Sequence, residues 1–506
     1  MLLPVDLREW LPEDDLVWHV LDVVDQLDLT EFYARYRVNG QGAAAYDPAM
    51  MLALTLYAHA VGVRSSRMIE RSCTRDAGFK VIAGLLVPDH STISRFVKTH
   101  QQALQGLFAQ VLRLCHQAGM VRLGVIAIDG TKIAANASWA KSYTAEALAH
   151  QVEEEQAAFD ALAAQLLAQQ IATDDAEDGE HGPDGGGRDD DLPPGLRRTA
   201  ERLERLKRAK AQLEQRDAAA REQMRARQQA KQAGYDAAVQ AGNRPRGPRP
   251  KDEIGYGTPR RRRSDGTWSE PAAPRASTTD PDSRRMKAKH GFVQGYNAQA
   301  ATTADQIIVG RQVSQHPTDH HQFADVLDSV TATLRDARII GEHPREQNGQ
   351  QDGQHPGQHP GEHDSEQELV QASTRVHALG VVVADAGYAN EDTFIQAEAA
   401  DLHLIAPLSS DENLHLGADP AAGQNLSQRP ATARAQAKLR TLTGRNLYKI
   451  RGRTAEPVIG QLKDRRGMRQ FATRGLASVS TEFSLACTVH NLLKLFAGRP
   501  AALNAN

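Results

Sequence analysis

No run of this sequence approaches the roughly 20 consecutive apolar residues that a transmembrane helix needs, so a helical membrane protein is excluded. Cysteine is scarce: Cys73, Cys115 and Cys487 lie far apart and form no CxxC pair. That excludes a disulfide framework and a zinc knuckle. A secretory signal would open with basic and then apolar residues, whereas MLLPVDLREWLPEDD places acids and prolines there. The expectation is a cytoplasmic protein. A large net charge is missing too, at −3 over 506 residues, which taken alone speaks against a nucleic-acid partner.

What is present is charge segregation. Residues 431–506 hold 14 Lys+Arg against 3 Asp+Glu, a local charge of +11, whereas residues 172–191 hold nine acids and one arginine. A basic block suits phosphate backbones, and an acidic one can sit apart as a solvated loop. With 40% apolar and 24% charged residues, a chain of this length reads as soluble and multidomain.

Residues 1–120 read as a helical N-terminal DNA-binding domain. MMLALTLYAHAVG (50–62) has helical apolar spacing. In VPDHSTISRFVKTH a helix is expected from about His90, with Ile93, Phe96 and Val97 on one side. Ser91, Thr92, Ser94, Arg95 and Lys98 lie on the other, as a helix-turn-helix reader would present them to DNA.

Next, RLGVIAIDGTKIAANAS (122–138) holds a short apolar strand ending in Asp129-Gly130. Residues 143–235 interrupt it with two apolar-periodic stretches around an acidic, glycine-rich centre, read as an antiparallel helical hairpin. Residues 236–277 form a basic loop with Arg260 to Arg263, and residues 342–368 a His-containing low-complexity linker (His343, His355, His359 and His363). Between these insertions, HGFVQGYNAQAATT and QIIVGRQVS read as a hairpin. A strand VVVADAGYANED, a short strand near 403–409 and a basic helical stretch from about 454 follow. Residues 121–140 and 278–496 would thus form one interrupted catalytic domain.

Asp385 ends the VVVA strand much as Asp129 ends the first. A lone aspartate there is ordinary for a turn, yet burying a carboxylate needs a partner. The element order is compatible with an RNase H-like fold, a mixed five-stranded sheet with helices on both faces, which would set the two strands side by side. The third acid would be Glu456, seven residues and about two helical turns before Lys463. Alone, Glu456 beside Pro457 reads as a first-turn glutamate at a helix N-terminus. Three converging carboxylates repel one another, and hard divalent cations relieve that. Two Mg²⁺ about 4 Å apart serve phosphodiester displacement, with Lys463, Arg451 and Arg453 available to hold phosphates.

The chain resembles bacterial insertion-sequence transposases of the DDE class, with an InsH-like N-terminal domain and a C-terminal DDE domain. The resemblance rests on LLPVDLREWLPEDDL, AIDGTKIAANAS, TTDPDSRRMKAKHGFVQGYNAQAA, VVVADAGYANEDTF, YKIRGRTAEPVIGQLKDRRGMRQFATRGL and EFSLACTVHNLLKL. It implies that Asp129, Asp385 and Glu456 are the catalytic, metal-holding triad, with two Mg²⁺ or Mn²⁺ ions. Tyr448, Arg451, Glu456 and Lys463 are similar to the family's Tyr-Arg-Glu-Lys signature. That signature has three residues between Arg and Glu; four follow Arg451 here and two follow Arg453. It further implies DNA partners (terminal inverted repeats and target), at least a dimer, no membrane, and a bacterial, nucleoid-associated location. A nuclease without strand transfer and a catalytically inactive DNA-binding repressor are the alternative functions. Asp280, Asp282, Ser283 and Arg284 are expected either to shape a turn or to touch DNA. Tyr296, Asn297 and Gln299 are expected either to position DNA or to satisfy sheet hydrogen bonds, and His490 and Asn491 to be structural.

Overall fold

A computed structural model describes residues 6–36, 45–177, 194–242, 274–288, 291–340, 380–408 and 426–498. The hairpin tip, most of the basic loop and the linker with its four histidines lie outside the described residues. The chain divides into two compact units, one of Met1–Asn136 with Arg285–Asn506, the other Ala137–Arg284.

In the first unit, helices α1 (Leu16–Asp25), α2 (Thr30–Tyr33), α3 (Pro48–Ala60), α4 (Ser66–Arg75), α5 (Ala77–Ile82), α6 (His90–Thr99) and α7 (Gln101–Gln117) precede the sheet. Aspartates start several of them. Asp15, Asp47, Asp76 and Asp89 each accept a bond from a first-turn N–H of the helix that follows, satisfying donors that have no partner within the helix.

The sheet is mixed. Strand β1 (Val125–Ala134) is central, antiparallel to β5 (Gly291–Thr303) and parallel to β7 (Val381–Ala384). Beyond β7 lies the parallel strand β8 (His403–Ile405), and β5 also pairs with β6 (Ile308–Ser314). A further strand, β4 (Arg284–Ala288), joins β5, so the sheet has six strands where five were expected. Met286 on β4 is fully buried, which gives that short segment its place at the edge. A Cβ added at Gly295 would fall on the Ile133 carbonyl, so the close β5–β1 approach requires glycine there.

Residues alternate between the faces of these strands. Val383 and Ile405 pack with Leu439 and Tyr448 on one face. These last two come from α12 (Pro430–Arg440) and α13 (Leu442–Asp464). On the other face Ile126, Ile128, Val382 and Leu404 join the main core. That core also takes in residues of α10 (Phe323–Asp336), α11 (Glu391–Ala399) and α14 (Leu476–Ala497). The single helical stretch expected from about 454 is corrected: α13 begins at Leu442, runs through Glu456 with Pro457 inside it, and ends before α14 starts. Glu456 therefore lies in a helix interior rather than in a first turn. Asn491 clips α14 to β6, accepting from the Ile308 N–H (2.9 Å) and donating to its carbonyl (2.8 Å).

The second unit carries the long helices α8 (Ala145–Glu177) and α9 (Pro194–Gln240), with a small ladder of β2 (Ser142–Tyr143) and β3 (Ala276–Ser277). Leu148 clusters with Leu206, Ala209 and Leu213, while Glu155 meets Arg202 at 3.1 Å. As α8 ascends its partners descend in number, so the helices run antiparallel. Asp282 belongs to this unit: it accepts from Arg208 (2.9 Å) and Gln212 (2.7 Å) of α9. No described helix is long and apolar enough to cross a membrane.

Candidate active site

The site is built where β7 ends against the middle of β1, because β1 runs on past the expected end at Asp129-Gly130 and stays paired with β5 as far as Ala134. The parallel register pairs Ile128 with Ala384, so Asp129, inside β1, and Asp385, the residue after β7, stand at matching positions. Each carboxylate also accepts a bond from a backbone N–H just beyond it, Asp129 within its strand and Asp385 as the cap of the turn that follows. Asp129 Oδ1 accepts from the Gly130 N–H at 3.0 Å, and Asp385 Oδ1 from the Gly387 N–H at 2.9 Å. On α13, the Arg451 guanidinium donates to Glu456 Oε1 at 2.9 Å and lies 3.6 Å from Asp129 Oδ1. The Arg451 side chain is buried and that of Glu456 is 51% exposed. Arg451 also lies 5.8 Å from the centre of the Tyr448 ring.

Electrostatics tie these groups together. Burial pushes the Asp129 carboxyl up to about 7, and the Asp385 and Glu456 charges push the same way, against Arg451 and the Gly130 N–H. Burial and the neighbouring acids together disfavour its charged form. Burial lowers the Lys463 ammonium, while Asp129 among others draws it back up. Among the described residues, no three acid, imidazole or thiol side chains stand close enough to grip one ion as they are.

Asp129, Asp385, Glu456, Arg451, Tyr448 and Lys463 thus share one neighbourhood. Arg453 does not join them: it is exposed, and its carbonyl accepts from Gln306 at 2.9 Å. Of the two arginines the spacing left open, Arg451 is the one beside the acids. Ser91, Thr92 and Arg95 sit on α6, where Ser91 and Arg95 are exposed and the Thr92 hydroxyl is engaged by Asp89 at 2.6 Å. Ser94 and Lys98 of that helix line a cleft of about 400 Å³ together with Arg64, Thr473, Ser478 and Glu482.

One residue of the site has no sequence motif around it. Asp319, in the loop after β6, accepts from Lys132 (3.0 and 3.1 Å), Asn297 (2.7 Å) and Gln299 (2.7 Å). Asn297 and Gln299 are fully buried, and Tyr296 is buried edge-on to Phe471, which keeps all three off the surface. Asp319 went unseen because an acid in a loop between a strand and a helix has no periodicity to mark it.

Comparisons with known proteins complete the picture. Residues 5–99 match a transposase domain family (DUF772). Residues 421–496 match a transposase DDE domain family. Both matches support an insertion-sequence transposase of the DDE class. The second match takes in Tyr448, Arg451, Glu456 and Lys463, whereas Asp129 and Asp385 lie outside both spans. No curated protein and no solved structure matches the chain.

Proposed function

We propose that this transposase binds the terminal inverted repeats of its own element, cleaves the DNA there and joins the freed ends to target DNA, on an RNase H-like core. Asp129, Asp385 and Glu456 are its catalytic carboxylates. The observation that carries the reading is their arrangement: two aspartates at matching positions on adjacent parallel strands, Asp129 within β1 and Asp385 just after β7, with a helical glutamate coupled to the first of them.

The donor set fits hard divalent cations. Carboxylate oxygens are what Mg²⁺ and Mn²⁺ select, and burial together with the neighbouring acids disfavours the charged Asp129 that a cation would stabilise. Glu456 is exposed enough to turn away from Arg451. When bound, two such ions would activate a water or a 3′-hydroxyl and stabilise the leaving oxygen of an in-line displacement. The chain's own residues supply the rest. Arg451 and Lys463 hold the DNA phosphates against the acids, Arg451 as a two-pronged donor and Lys463 as a point charge. Tyr448 packs beside Arg451 and limits its sweep. Ser91, Thr92 and Arg95 of α6 contact the element ends. Acting on two ends at once requires at least a homodimer. The protein works in the bacterial cytoplasm, at the nucleoid.

The test is incubation of the purified protein with Mg²⁺ or Mn²⁺ and DNA carrying the element ends. Joined products are expected with the wild type, and none with Asp385→Asn. Nicking without joining would mean a nuclease, and binding alone a repressor. Full strand transfer by Asp385→Asn would overturn the site.

A further inference from the structure

The sequence repeats a small oddity: Asp129 is followed by Gly130, and Asp385 two residues later by Gly387. Both glycines make room for one carboxylate. A Cβ at Gly130 would lie 2.8 Å from Asp319 Oδ1 and 2.5 Å from the Gln299 amide. A Cβ at Gly387 would lie 3.2 Å from Asp319 Oδ2 and 3.0 Å from Asp385 Oδ1. A Cβ at Gly130 would push the Gln299 amide and the Asp319 carboxylate from their places, and one at Gly387 would make the Asp385 and Asp319 carboxylates give way by a few tenths of an ångström. Asp319 therefore lies against the residue after Asp129 in β1 and against the turn that follows Asp385.

Alternation along β1 decides which side it comes from. Gly130 and Lys132 pair with Gln299 and Asn297 of β5, while Asp129 pairs with Ala300. Gly130, Lys132, Asn297 and Gln299 thus share one face of the sheet, and Asp129 belongs to the other. Asp319 approaches from behind, opposite the face on which Arg451 and Glu456 meet Asp129.

We infer that Asp319 is a positioning residue that sets the spacing of Asp129 and Asp385. It binds β1 through Lys132 and β5 through Asn297 and Gln299. Gln299 also accepts from the hydroxyl of Tyr388, in the turn that follows Asp385. The same loop is pinned to that turn a second time, because Asn390 Nδ2 donates to the His320 carbonyl at 3.0 Å. Asp319 thus ties β1 to β5 directly, and Gln299 and His320 carry that tie to the turn after β7, making a frame behind the acids. Lys132 balances its charge, so it adds no net repulsion to them. Groups that orient the carboxylates of a metal site change its affinity by about 10- to 100-fold when removed. This inference rests on the proposal that Asp129 and Asp385 hold divalent ions.

The test is Mn²⁺ binding to the full-length protein, read by electron paramagnetic resonance of the free ion in the absence of DNA. Wild type, Asp319→Asn, Asp319→Ala and Gly130→Ala are compared. Val330→Ala, a core change on α10, serves as a control for general loosening. The expected result is saturable binding by the wild type, weakened at least about tenfold by each Asp319 substitution and by Gly130→Ala, but not by the control. Asp319→Asn is nearly isosteric and keeps the fold testable where the alanine variant does not fold. Wild-type affinity in Asp319→Asn would overturn the positioning role and leave the metal site standing. The same would follow if Val330→Ala weakened binding as much as Asp319→Asn. No saturable binding by the wild type would overturn both this role and the two-metal reading.

Discussion

Burial disfavours the charged form of Asp129. Its carboxyl is raised to about 7 from 3.8, so between those pH values the native state keeps a proton that the unfolded chain has released. By linkage, that favours folding below about pH 4 and is lost progressively as pH rises through about 7. At the upper end the loss is on the order of 4 kcal/mol, taking about 1.36 kcal/mol per pH unit. The metal-free protein should therefore melt at lower temperature at pH 8 than at pH 5, and Asp129→Asn should flatten that profile. A wild-type profile already flat over this range would count against a buried, acid-crowded Asp129. Arg451 is the balancing residue. Arg451→Gln should lower the melting temperature of the metal-free protein, and saturating Mn²⁺ should recover more stability there than in the wild type. Equal recovery in both would mean that the guanidinium does little for the acids.

Among the elements, α13 is the one whose course the sequence misdirects. Pro457 beside Glu456 signals a helix start, yet the helix has already run from Leu442. Proline inside a helix removes one N–H and leaves the carbonyl four residues back, that of Arg453, without its helical donor. The Gln306 side chain, from the β5–β6 turn, donates to that carbonyl. Gln306 also sits at φ 63°, and its own carbonyl is met by His490 at 2.9 Å. A distant turn thereby lets α13 continue through a proline and bring Glu456 beside Arg451 and Asp129. Gln306→Gly, which keeps the backbone angle and removes the amide, should cost about 1 kcal/mol in urea unfolding. A cost near zero would mean that water serves that carbonyl equally well.

At the scale of the whole molecule, the two transposase-matched segments are interlocked within the first unit. Glu482 of α14 pairs with Arg64, between α3 and α4, and accepts from the Ala472 and Thr473 N–H groups at 3.0 Å. Arg466 donates to the Ala60 carbonyl at 2.6 Å, and just beyond the first matched segment Gln101 donates to Ser478 at 2.9 Å. Removing one partner of a buried ion pair costs about 3–5 kcal/mol, because the other charge is left uncompensated. Glu482→Ala should therefore lower stability by that order in chemical denaturation. Amide exchange should then rise in the Ser66–Arg75 helix as well as in α14. Exchange rising in α14 alone would show that the N-terminal helices hold themselves together.

Periodicity and residue type are local, and they were enough to mark the helices of residues 45–117, the β5–β6 hairpin and the strands bearing Asp129 and Asp385. They also singled out Glu456, since Lys463 stands two turns beyond it. Only the tertiary structure set β1 beside β7 in matching register, chose Arg451 over Arg453, and buried Asn297 and Gln299. It also brought in Asp319 from a loop after β6. The physical reason is that strand order, and the meeting of side chains from distant loops, depend on contacts between residues hundreds of positions apart, which no local spacing records.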